Sequence, residues 1–146
     1  MHYGLLVGLH LLCATIFIGV VAFEVLILEG IRQHLPAKTM SLVEQGIHLR
    51  GRKIMPFIVA TLFITGGFMG YHHLSPLPSP FATSFSTLLT IKIILAVSVL
   101  IHFILAMKHS VCGDMTTKIF KYTHLSVFFH MLAIIFLAKG MFYIQW

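Results

Sequence analysis

The chain has 146 residues, of which 58% are hydrophobic and only 10% charged, and its mean hydropathy is +0.97. A water-soluble domain of this length has too little interior to hide that much apolar surface, so a soluble globular enzyme is excluded and a bilayer is the fitting solvent. The net charge of +6 suits anionic lipid headgroups and does not indicate nucleic-acid binding.

Four apolar runs predict four membrane-spanning helices over about 4–28, 54–73, 87–107 and 122–144. Each approaches or exceeds the roughly 20 residues that cross ~30 Å of hydrocarbon. Helices satisfy their own backbone groups in lipid, so the expected fold is an all-α membrane protein, a single antiparallel four-helix bundle over residues 1–146. No internal repeat at a fixed period and no second domain are expected. A cleavable signal peptide is not expected either, because the first span lacks a basic start and is too long for one.

In the first span, His10, Cys13, Phe17, Val21 and Glu24 recur at helical spacing and predict one interior stripe. The first loop carries Arg32, Lys38, Arg50, Arg52 and Lys53. Its segment MSLVEQGIHLRGRK is read as a short amphipathic helix along the interface, ending before Pro56 near the start of the second span. The second span closes on Gly66, Gly67 and Gly70, read either as close helix packing or as room for a flat macrocycle. The middle loop has no Lys or Arg, and Pro76, Pro78 and Pro80 predict a stiff, extended connection. The third loop carries Lys108, Lys118 and Lys121. The positive-inside rule then places loops one and three in the cytoplasm and both termini on the periplasmic side of a bacterial inner membrane.

Two cysteines, Cys13 and Cys112, fall at different depths, so no disulfide is expected; no CxxCH supports covalent haem attachment.

An imidazole inside a bilayer loses its hydration and needs a partner. Counting depth from the loops gives an outer group of His10, His72 or His73, Lys92 and Lys139. It gives an inner group of Glu24, His102 and His130. Facing histidines at one depth suit haem b, with imidazole above and below iron. His102 with His130, and His10 with His72 or His73, are the candidate pairs, and Lys92 is a candidate ligand or propionate partner. The bland alternative is that each histidine only hydrogen-bonds a neighbouring helix. His48, His109 and His124 are read as interfacial, Cys13 as a small core residue, and Glu24 as either interfacial or a proton-relay carboxylate.

The segments LHLLCATIFIG, GRKIMPFIVATLFITGG and TIKIILAVSVLIHF resemble small CopD-like membrane proteins and the HemJ-type protoporphyrinogen oxidases. The resemblance covers all four spans through short motifs. It implies a haem b role for His10 and a site role for Lys92. His130 in FFHMLAII looks more like the fourth-span His of the CopD-like group. The fourth span THLSVFFHML departs from the HemJ pattern, which favours the CopD-like side.

The expected function is therefore b-haem binding, with one or two haems, in electron transfer or a small membrane oxidoreductase activity. Protoporphyrinogen IX oxidation and copper transport or resistance are the alternatives, the latter from Met69, His72, His73 and Met141 near the outer face. Expected partners are lipid, quinone, a periplasmic redox protein and a second copy of the chain.

Overall fold

The computed structural model describes residues 3–74, 79–113 and 116–144, without the side chains of residues 73 and 74. Its four helices are each long and apolar enough to cross a membrane. The first, α1, runs Tyr3–His34. It is α-helical to Ala22, widens to a π-helix over Phe23–Leu28, and ends in a 3-10 turn over Arg32–His34. It is followed by α2 (Ala37–Leu74), α3 (Ser84–Cys112) and α4 (Thr117–Gly140). No strand occurs among the described residues.

Two antiparallel hairpins make up the bundle. In the first, Tyr3 meets His72, His10 meets Thr65, and Leu28 packs with Met40, so α1 and α2 run opposite ways. In the second, Phe85 meets Phe142, Ser98 meets His130, and His102 meets Ser126. The tight contacts lie within each hairpin; α1 against α4 and α2 against α3 close the ring more loosely. Tyr3 and Ile144 therefore lie at one end, here the terminal end. The first and third connections share the other, the basic end.

The predicted stripe of α1 is buried at Cys13, Phe17, Val21 and Glu24, and extends to Leu6 and Leu28; His10 is half-buried. Phe17 and Val21 pack with Val59, Val99, Val127 and Met131 at mid-bundle. In lipid no hydrophobic force draws helices together, so such packing and cross-helix hydrogen bonds hold the bundle. Cys13 and Cys112 are both free.

Two expectations are corrected. The polar segment 40–53 is not a separate interfacial helix, because it is continuous with the second span in one helix of 38 residues, about 57 Å long. Pro56 accordingly lies inside a helix rather than near its start. Proline removes one backbone bond there, but membrane helices tolerate it where neighbours hold the chain. Pro76 and Pro78 lie outside the described residues, and Pro80 sits in a turn.

Helix ends are locally determined. Thr83 caps α3 through a reciprocal box, its Oγ1 accepting from Ser86 N–H while Ser86 Oγ accepts from Thr83 N–H. Gly113, at φ 78, ends α3 in the left-handed region that favours glycine, its N–H donating to the His109 carbonyl. At the basic end, Glu29 pairs with Arg32 at 2.9 Å and with Lys121 at 2.6 Å, and Arg32 also pairs with Glu44. This ties α1 to α2 and α4. The groups are partly exposed, so each pair contributes about 0–1 kcal/mol.

Candidate functional site

The histidines fall into three separate settings. The first is a clasp between α3 and α4. A carbonyl can only accept, so His102 Nδ1–H donates to the Ser98 carbonyl at 2.8 Å. In the neutral ring Nε2 then accepts, here from the Ser126 hydroxyl at 3.2 Å. His130 repeats the pattern, with Nδ1–H donating to the Ser126 carbonyl at 2.8 Å and Nε2 accepting from the Ser98 hydroxyl at 3.1 Å. The two rings stand 5.4 Å apart, centroid to centroid, tilted by 52°. All four ring nitrogens are satisfied, and a metal bound to either Nε2 would displace a serine hydroxyl. Ser98 and Ser126 are site residues that the sequence analysis did not single out. The readable signal was a repeated pentapeptide, SVLIH at 98–102 and SVFFH at 126–130, which antiparallel helices bring together in reciprocal register.

The second setting is His10 in the first hairpin. Its Nδ1–H donates to the Leu62 carbonyl at 3.0 Å, with Thr65 Oγ1 at 3.1 Å. Thr65 gives its own proton to the Thr61 carbonyl at 2.7 Å, so toward His10 it accepts. Gly66 makes room for the ring, since a Cβ there would stand 3.0 Å from His10 Cε1. Gly67 and Gly70 meet nothing within 4 Å, so only Gly66 is required for a close approach. Lys92 is half-buried. His72 is exposed against Tyr3, two turns and about 10 Å beyond Thr65 along α2. The structure thus does not bring His72 to His10. The side chain of His73 lies outside the described residues. Lys139 is exposed, 5.6 Å from the ring centroid of Tyr143.

The third setting lies toward the basic end, where the two hairpins part around a cavity of about 570 Å³. All four helices line it, with Phe17, Met55, Phe103 and Met107 on its apolar walls and Arg50 and Arg52 at its polar edge. Glu24, His48, Phe120 and His124 complete the lining. Phe120 packs on both imidazoles, 4.8 Å from His48 and 4.2 Å from His124 by ring centroids. His48 makes no hydrogen bond among the described residues. Arg52 reaches across to the Ser110 carbonyl at 3.0 Å, fixing its guanidinium beside α3. Glu24 is 6% exposed, on the π-helical turn, and its Oε2 lies 2.8 Å from His124 Nε2. That oxygen stands off the hydrogen-bond axis and has no other partner.

The sequence reading grouped Glu24 with His102 and His130; the structure places it with His124 instead. The helices overrun the apolar runs, α1 to His34 and α3 to Cys112, so depth counted from the loops is misplaced by a turn or more. Among the described residues, no three His, Cys, Asp or Glu side chains gather around a common metal position. His10, His102 and His130 are therefore not one site. No protein-family model, curated protein or solved structure matches this chain.

Proposed function

We propose that this multi-pass membrane protein holds a b-type haem in the cavity between its hairpins and acts in electron transfer. The cavity carries the reading. Its volume falls within the ~300–1,000 Å³ of small-molecule and cofactor sites, and it combines an apolar body with a few polar groups. The donor set suits iron: His48 offers an imidazole free of hydrogen bonds, and Met55 and Met107 offer thioethers from α2 and α3. His48 and Met55 are seven residues apart and share a helix face. Arg50 and Arg52 suit the carboxylates of the macrocycle, because a guanidinium binds a carboxylate with paired N–H donors. Phe17, Phe103 and Phe120 supply flat apolar surface. When bound, the haem supplies one reversible electron. The protein's own residues would hold it, exclude water and set the surrounding dielectric.

In this reading the His102–His130 clasp fixes α3 against α4, and the basic end faces the cytoplasm by the positive-inside rule. The test is a reduced-minus-oxidised visible spectrum of protein purified from haem-replete cells, with pyridine haemochrome quantitation. The reading expects a Soret band and about one haem per chain. Absence of a Soret band overturns it.

A further inference from the structure

From the geometry of one buried contact we infer that Glu24 and His124 form a proton-accepting site, loading one proton when the group in the cavity gains an electron. The inference rests on the haem reading above for its redox partner, and on the structure alone for its proton.

His124 Nδ1–H donates to the Phe120 carbonyl at 2.8 Å, so the proton on Nδ1 is fixed. Nε2 then faces Glu24 Oε2 at 2.8 Å. An unprotonated ring nitrogen and a carboxylate oxygen repel at that distance, so one of the two groups carries a proton. The pair is therefore either carboxylate with imidazolium or carboxylic acid with imidazole. Both forms are neutral overall, which is what a buried, water-poor position tolerates. No group among the described residues hydrogen-bonds Glu24 Oε2. A second proton on the pair gives carboxylic acid and imidazolium, with one net positive charge.

The balance is simple. A one-electron reductant (dithionite in the assay) would be oxidised and would give its electron to the haem held in the cavity. The pair takes one proton from water, and the net charge around the cavity is unchanged. Charge compensation at short range in a low dielectric is the driving term. The other ionisable groups that line the cavity with the pair are His48, Arg50 and Arg52, all from α2; Glu29 of α1, Glu44 of α2 and Lys121 of α4 lie at the basic end beyond it. Glu29, Glu44 and Lys121 are engaged in the ion pairs at the basic end. Phe120 packs against both His48 and His124.

The experiment is a spectroelectrochemical titration of the wild-type protein, Glu24→Gln and His124→Gln between about pH 6 and pH 8. A tenfold change in proton activity coupled to a one-electron couple is about 59 mV. The wild-type midpoint is expected to fall with pH over part of this range, approaching that slope, and both variants are expected to lose most of it. A bound haem with equal slopes in all three proteins overturns the proton site and leaves the haem reading standing. If no haem binds, the haem reading fails, and the proton is read by ¹⁵N NMR of histidine-labelled protein. A carboxylate–imidazolium pair is then expected to lose the imidazolium signature of His124 in Glu24→Gln, and a carboxylic acid–imidazole pair to show His124 gaining a proton between about pH 6 and pH 8 in the wild type. A His124 spectrum that shows neither overturns the proton site.

Discussion

The Ser–His clasp makes an unusually selective prediction, because Ser98 serves two histidines through different atoms. Its hydroxyl donates to His130, while its backbone carbonyl accepts from His102. Ser98→Ala removes the first bond and leaves the second. Cross-helix hydrogen bonds in membrane bundles average about 0.6 kcal/mol, with a ceiling near 1.7. Leaving a buried acceptor unsatisfied costs about 1–3 kcal/mol. His130 is only half-buried, so we expect about 1 kcal/mol for Ser98→Ala. In a double-mutant cycle Ser98 should couple to His130 by about 0.5–1.5 kcal/mol, and to His102 by no more than about 0.5, the scatter of independent sites. Unfolding followed by helical circular dichroism, in micelles of increasing dodecyl sulfate content, gives each free energy. Equal coupling of Ser98 to both histidines, or to neither, would refute the clasp.

Two further outcomes follow from local geometry. Gly66→Ala places a methyl 3.0 Å from the His10 ring, so the overpacking cost of about 1–3 kcal/mol outweighs a helix-propensity gain of about 0.5–1. Gly67→Ala meets nothing and should be neutral or slightly stabilising, and His10→Ala should abolish the difference between the two glycine variants. Thr83→Ala breaks the box that starts α3 and should cost about 0.5–2 kcal/mol in the same unfolding assay, with faster amide exchange confined to the first turn of that helix.

The four spans and the interior stripe of α1 were legible because apolar length and helical spacing are direct consequences of lipid and of 3.6-residue periodicity. The extent of α2 was not. Pro56 reads as a start signal, and a polar stretch reads as a loop, yet Lys, Leu, Glu and Arg at 38–53 are good helix formers and simply continue the span beyond the membrane. The partner of His102 and His130 was half legible. Their common depth was visible, but the serines that satisfy them escape a search aimed at metal ligands, although SVLIH and SVFFH repeat in plain view. Glu24 with His124, and His48 beside them, depend on helix rotation and on the wider π turn, neither of which periodicity specifies.

The haem content of matched histidine variants tests the central claim most directly. Wild type, His48→Ala, His10→Ala and the His102→Ala/His130→Ala double variant would be purified alike and assayed by pyridine haemochrome. The account predicts that only His48→Ala loses most of its haem, while the other two keep about one per chain. Full haem in His48→Ala, with loss in the double variant or in His10→Ala, would contradict it and return the cofactor to the intramembrane histidines.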